Sequence, residues 1–347
     1  MKAEMTIKKW QLLRWRKRSE CADLRECDFV AVGRRAFYRN RRVEEVFLPA
    51  NASVIKTEAF SGCRSLSRVV LPSDNGVGIA GGAFAKCTRL RELENTALIS
   101  RIGARAFENC AFLPDPVLGR ELRAIGEYAF SGCASFHALC LPSSVESMGK
   151  GAFAACTELA RVEMEEGFSA LSPDAFRGCT SLFEIKLSNT LRTLPDGAFR
   201  DCVALTEVDI PSAVRTVGKR AFADCTRLEA VRAESGLERI GAFAFAGCDR
   251  LKSITVPNTL KHIGIGAFGF GRVDAEDRIT LLVESEYMKR RLCTKLRLAL
   301  CSSRVEIVVT GKSIEERRRE RRRAQLEQKP AHLFDPADNT QKEDEQG

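Results

Sequence analysis

Fourteen cysteines and three histidines are the residues of this 347-residue chain best suited to do chemistry. Thiolates and imidazoles ligate metals, and thiolates act as nucleophiles. Nine of the cysteines, at 63, 87, 110, 133, 156, 179, 202, 225 and 248, recur every 23 residues with one spacing of 24. No Cys-x-x-Cys pair occurs, and His137, His262 and His332 stand far apart. So long and regular a spacing belongs to a repeating fold and not to metal ligation. Cys21, Cys27, Cys140, Cys293 and Cys301 lie outside the column. Gly-x-Ser-x-Gly, phosphate-cradling glycine loops and His-Glu-x-x-His are all absent. The chain is therefore expected to be no enzyme and to use no metal or cofactor.

The elements that would position these thiols show the same period. Phe37, Phe60, Phe84 and eight successors up to Phe268 are spaced by 23 residues, with one interval of 24, and Ala precedes every one. Five positions before each Phe stands an apolar residue, from Val32 to Ile263, and Gly follows it in seven of the eleven units. After the Cys column comes a pattern of the form Leu-x-x-Val-x-Leu-Pro, as in Leu205, Val208, Ile210 and Pro211. Its alternation is that of a strand, and the proline, which has no N–H to donate, ends it. The Gly is read as a turn former, and Ala-Phe-x-x-Cys has the length of one short helical turn. Eleven coils result, each with one parallel strand and a short helical turn. A single coil cannot bury its apolar side, but a stack of coils can. Neighbouring column cysteines would lie about 5 Å apart, a separation that disulfides can span. The reading adopted is that they stay reduced and pack as small hydrophobes.

The units Ile125-Gly126-x-x-Ala129-Phe130-x-x-Cys133 and Leu251-x-x-Ile254-x-Val256-Pro257 resemble the BspA-like, or treponemal-type, leucine-rich repeats. The resemblance spans about residues 30–285. It implies an α/β architecture, a right-handed leucine-rich-repeat solenoid, and a role in adhesion or other protein–protein contact. Many members of that family are exported surface proteins, so an adhesin is the reading if this chain is exported.

Residues 1–29 read as a basic N-terminal segment or cap, 30–278 as the solenoid and 279–310 as a C-terminal cap. A charged helix at 311–329 and a disordered acidic tail at 330–347 follow. Within the solenoid, the unit after Phe107 carries Pro114 and Pro116 where a strand belongs, and the unit before it has Asn95. A broken strand and a bend are expected there. Residues 1–42 hold 13 Lys/Arg against 5 Asp/Glu, and residues 312–329 hold 8 against 4. The charge sits at the ends, although the chain as a whole is +9. No stretch approaches the length of a membrane span, and the N-terminal residues lack the apolar core of a secretory signal. Cytoplasmic location is the expectation, consistent with reduced thiols.

A strand written Leu-x-x-Val-x-Leu turns its x residues outward, onto the concave face of a solenoid. The x between Val and Leu is Phe47, Val70, Glu94, Val117 and Cys140 in the first half. It continues as Glu163, Lys186, Asp209 and Arg232, a run of alternating sign. Phe47, Val70, Val117 and Cys140 are the candidate site for a protein partner. An alternative site is basic. Arg317, Arg318, Arg319, Arg321, Arg322 and Arg323, with the N-terminal segment, carry charge that suits nucleic acid or an anionic membrane surface. Open strand edges at the end coils would also permit end-to-end self-association.

Overall fold

The computed structural model describes residues 6–7, 20–27, 29–74, 76–269, 278–298 and 305–310. These residues form a parallel β-solenoid with coils of about 23 residues. Two strand rows and one row of turns run along it.

The first strand row is the one read from the Leu-x-x-Val-x-Leu pattern. It contains Cys21–Asp23, Glu45–Phe47, Arg68–Val70 and Glu92–Glu94, then Ala138–Leu141, Arg161–Met164 and Glu184–Lys186. It resumes with Glu207–Ile210, Ala230–Ala233, Ser253–Val256, Ile279–Val283 and Val305–Val309. All pairings are parallel, and equivalent residues sit side by side, as in Val46↔Val69 and Val208↔Val231. The central residues Val46, Val69, Val208 and Val231 are buried to 2% exposure or less, so the alternation seen in the sequence is the alternation of core and surface.

A second extended stretch also pairs in every coil but the one at Leu171. Short strands such as Val54–Ile55, Ala124–Ile125 and Thr216–Val217 make a second parallel row. The coil thus carries two strands where the sequence reading placed one.

The third row differs from the expected helical turn. Residue Phe−2 has a left-handed backbone in all eleven coils, including Arg35 (φ 54°), Glu58 (φ 55°), Tyr128 (φ 53°) and Phe243 (φ 57°). Residue Phe+2 does the same in every described coil. Alternating right- and left-handed residues point successive N–H groups in alternate directions. Ala36, Tyr38 and Asn40 donate back within their own coil, to Gly33, Arg35 and Phe37. Arg35, Phe37 and Arg39 donate to Thr57, Ala59 and Ser61 of the next coil. A helix would send every N–H back along its own chain and leave the coils unjoined. Each left-handed non-glycine residue costs about 1–2 kcal/mol, and the inter-coil ladder offsets it.

Inside the turns the phenylalanines form one continuous stack from Phe37 to Phe268. Neighbouring ring centroids are 4.9 to 6.1 Å apart and planes deviate by 12° at most. Each Phe N–H from Phe37 to Phe245 also bonds to the Ala carbonyl of the next coil, at 2.7 to 2.9 Å. Alanine keeps that approach open, and every Ala of the column is fully buried.

The Gly that follows the apolar column was expected to supply a turn. Gly103, Gly126 and Gly149 have no positive φ. Their role is close approach: a Cβ at Gly126 would lie 2.3 Å from the Ala104 nitrogen, and one at Gly149 2.2 Å from the Glu127 nitrogen. The left-handed turn positions lie two and six residues further on.

The first row breaks where Pro114 and Pro116 fall, and residues 113–118 form no strand. It breaks again between Glu184–Lys186 and Glu207–Ile210, which the sequence does not announce. The second row breaks between Ser147–Met148 and Thr193–Leu194. The breaks are staggered, so at least one strand row is continuous at every coil, and the turn row crosses all of them. Across the proline unit, Phe84, Phe107 and Phe130 stack at 5.3 and 5.2 Å with 4° between planes. The ring stack shows no bend there.

At the N-terminal end, Thr6–Ile7 and Cys21–Asp23 add a rung to each strand row. At the other end, Ile279–Val283 and Val305–Val309 add two strands to the first row, with the helix Glu286–Leu298 between them in sequence. No helix among the described residues is long and apolar enough to cross a membrane. The charged helix at 311–329 and the tail at 330–347 lie outside the described residues.

Candidate functional site

The outer face of the first strand row carries Phe47, Val70 and Cys140, and Val117 lies where that row is interrupted. Register places Phe47 beside Val70, Val70 beside Glu94, and Cys140 beside Glu163 and then Lys186. The row does not present them as one patch. Glu94 and the proline break divide them into an N-terminal pair, Phe47 and Val70, and a second pair, Val117 and Cys140.

Phe47 is half-buried and has two cations beside it. The Arg25 and Arg68 guanidinium carbons lie 4.9 and 5.4 Å from its ring centroid. Both arginines are held from their far sides: Arg25 by Asp23 at 2.6 Å, and Arg68 by Glu94 at 2.7 Å and Glu92 at 3.3 Å. These carboxylates raise the pKa of each guanidinium further. Two guanidinium groups from the neighbouring coils thus lie against the ring.

Val117 is open, at 67% exposure. Prolines 114 and 116 have no N–H to give to the preceding strand, so this coil does not pair and the surface dips. The depression is about 520 Å³ in volume. Pro116, Val117, Leu118, Leu139 and Cys140 supply its apolar lining, and Arg161, Glu163, Glu184 and Lys186 its charged side. The charges are paired across strands, Arg161 with Glu184 at 3.1 Å and Lys186 with Glu163. The Arg161 guanidinium also lies 5.5 Å from the centroid of the exposed Phe183 ring.

Asp115 stabilises the edge that the break leaves behind. In regular coils a main-chain carbonyl accepts two N–H groups of the next strand, as Glu44 does from Ser67 and Arg68. Here the Asp115 carboxylate replaces it, accepting from His137 N–H at 2.6 Å and Ala138 N–H at 3.2 Å. Sequence reading missed this role; an acid flanked by two prolines inside a strand register is the signal that could have found it.

Cys140 is exposed, but its environment does not make a nucleophile. Partial burial, then the carboxylates of Glu165 and Glu163, raise its pKa. The nine column thiols are buried, and each donates to a main-chain carbonyl. Desolvation pushes Cys63 and Cys110 up to about 12. Among the described residues, no three His, Cys, Asp or Glu side chains converge as a metal-binding set.

The alternating run Glu163–Lys186–Asp209–Arg232 resolves into two separate pairs. Lys186 bonds to Glu163, and Arg232 to Asp209 at 3.2 Å and to Glu207. The second break of the row separates Lys186 from Asp209. Arg317, Arg318, Arg319, Arg321, Arg322 and Arg323 lie outside the described residues.

The model of the BspA type leucine rich repeat region matches the chain at residues 30–160, 100–229 and 151–272, in six copies. No curated protein shows significant similarity. Among solved structures, the chain is similar to a leucine rich cell surface protein from Faecalibacterium prausnitzii. Identity is 21%, over 84% of this chain and 85% of that one, with a TM-score of 0.48. A leucine-rich repeat protein from Eubacterium ventriosum is 19% identical over 69% of this chain and 81% of its own, with a TM-score of 0.40. The T. pallidum leucine rich repeat protein is 27% identical over 67% and 78%, with a TM-score of 0.33. The family match covers the stack of Phe, Ala and Cys columns described above, and this chain belongs to the BspA-type leucine-rich-repeat family.

Proposed function

We propose that the chain is a non-enzymatic interaction module that holds a protein partner on the outer face of its first strand row, with the Val117–Cys140 depression as the anchor point. The observation that carries this reading is Val117. It is a β-branched apolar side chain left two-thirds exposed beside four other apolar groups, in a dip that the strand break creates. Isolated apolar residues are common on surfaces, but a concave apolar patch rimmed by charges is the form that contact sites take. The paired rim charges, Arg161–Glu184 and Glu163–Lys186, can orient a partner without an unpaired charge being buried. Phe47 and Val70 contribute as a second, weaker contact, since cations cover the Phe47 ring.

The buried reduced thiol column suits a reducing compartment, and the cytoplasm is the location this supports. The same surface would serve as an adhesin face in an exported chain.

Affinity purification with the full chain tests the reading. A protein retained by the wild type is expected to fall at least about tenfold with Val117→Glu, since an anchor of this kind carries more than about 1.4 kcal/mol. Ile265→Glu, at another exposed apolar position, should leave retention unchanged. Equal retention by wild type and Val117→Glu removes the depression as the anchor.

A further inference from the structure

The turn row of the first four coils holds a second depression, on residues that play no part in the strand-row site. It measures about 650 Å³, within the usual range of about 300–1,000 Å³ for small-ligand pockets. Its shape follows from the repeat. Four of the positions that project from the turns are small on the second and third coils, Ser61, Gly62, Gly82 and Ala85, beside the larger Glu58 and Lys86. On the first and fourth coils the same positions carry Tyr38, Arg39, Arg105 and Glu108. Tyr38, Arg39, Arg105 and Glu108, with Glu58 and Lys86, thus surround a floor of small side chains.

The charges in this depression are unusual for the molecule. Arg39, Arg41, Arg64 and Lys86 all line it, and all are exposed. None makes an ion pair among the described residues. The two carboxylates of the lining are already engaged, Glu58 by Arg35 and Glu108 by Arg105 at 4.0 Å. The hydrogen bond from Arg35 lowers the Glu58 pKa.

The same turn row further along shows what compensation looks like. Position Phe+2, which is Arg39 and Lys86 here, becomes Asp201 and Asp224 there, and Arg177 and Arg200 pair with them at 3.5 to 3.7 Å. In the first four coils that position carries Arg39, Gly62, Lys86 and Asn109, with no acid among them.

We propose that this depression binds a compact polyanion, a sugar or polyol carrying several sulfate or phosphate esters. Guanidinium groups match such tetrahedral oxyanions with paired N–H donors, and ammonium adds a point charge. The Ser61 and Thr57 hydroxyls line the same space and supply neutral donors for ring hydroxyls. The Tyr38 ring has Arg35 and Arg39 at 5.2 and 5.1 Å from its centroid, which fixes two cations about one aromatic wall. Concavity favours a compact ligand over an extended strand, whose phosphates would need a groove continuing beyond these four coils.

Calorimetric titration of the full chain with inositol hexakisphosphate, and separately with a heparin-derived oligosaccharide, tests the proposal and separates phosphate from sulfate. One-to-one binding of at least one probe is expected. Arg64→Glu/Lys86→Glu should weaken it at least about tenfold. Arg227→Glu/Arg250→Glu carries the same charge change on distant coils and should leave it within about twofold. A second pair, Arg39→Gln/Arg41→Gln, should weaken binding in the same direction and covers the case in which the double reversal fails to fold. The proposal is overturned if neither probe binds, or if near and distant pairs weaken binding equally. It is also overturned if a single-stranded oligonucleotide of matched charge binds more tightly than both probes.

Discussion

The Sγ of Cys133 lies 3.2 Å from the carbonyl oxygen of Phe107, one coil earlier. That oxygen already accepts the Cys110 N–H at 3.1 Å, so the thiol satisfies its second lone pair. The relationship repeats for all nine column cysteines, with Sγ to Phe oxygen distances of 3.0 to 3.3 Å. A buried carbonyl with room for one more donor, beside a gap the size of a sulfur, accounts for cysteine in this column. Cys133→Ala removes both the donor and the fill. We expect about 1–3 kcal/mol of destabilisation in urea unfolding, against less than about 0.5 kcal/mol for Cys140→Ala on the surface. Equal effects would remove the thiol from the account of stability.

Alkaline pH acts on the same column. Burial holds the Cys63 and Cys110 thiols near 12, from an ordinary value of 9.0, so the folded chain keeps their protons more tightly than the unfolded chain does. The stability this represents is complete below pH 9 and is lost as pH rises towards 12. Each such thiol steepens the loss by about 1.4 kcal/mol per pH unit within that window. Urea midpoints measured from neutral pH upwards should hold steady to about pH 9 and then fall. A Cys63→Ala/Cys110→Ala variant should show a shallower fall. A midpoint that does not move up to pH 11 contradicts the burial assigned to the column.

The two kinds of glycine should respond differently to alanine. At Gly126 the added carbon meets the backbone of Ala104 and Gly103 at 2.3 and 2.4 Å, and backbone cannot swing aside. At Gly178 the nearest atom is 3.8 Å away, and the only penalty is the left-handed φ of 74°. We expect about 3 kcal/mol for Gly126→Ala and about 1 kcal/mol for Gly178→Ala, read from urea midpoints. The reverse order would contradict close approach as the reason for the Gly126 position.

Asp115 supports the depression and does not touch what enters it. Asp115→Ala leaves the His137 and Ala138 N–H groups to water. Its cost should be modest, about 0.5–1.5 kcal/mol at so exposed a site. Amide exchange at His137 and Ala138 should speed up while exchange at Phe130 does not change. Unchanged exchange at both amides would show that the carboxylate does not hold the strand edge.

The columns were legible because each coil repeats the same burial, so Phe, Ala, Cys and the strand valines recur in phase. The outward register of Cys140 was legible for the same reason, from the strict alternation of Ala138–Leu141. The turn row was not. Its left-handed positions fall partly on Gly, Asn and Asp, as at Gly82 and Asp201, but also on Arg35, Glu58, Tyr128 and Phe243, so no single column marks them, and the inter-coil ladder holds the conformation in both cases. Nor was the function of Gly126, since glycine serves positive φ and close approach alike, and only neighbouring backbone distinguishes them. The second break of the strand row has no sequence mark, because Glu184–Lys186 and Glu207–Ile210 both alternate correctly. The basic depression was hidden because its lining comes from four coils and depends on which side chains are small.

Site-specific photo-crosslinking tests the functional account most directly. A photoreactive side chain placed at position 117 of the full chain, expressed in its native host, should give a discrete adduct with one protein. The same probe at position 265, also apolar and exposed, should not. No adduct at 117, or the same adducts from both positions, would contradict the strand-row depression as the partner site.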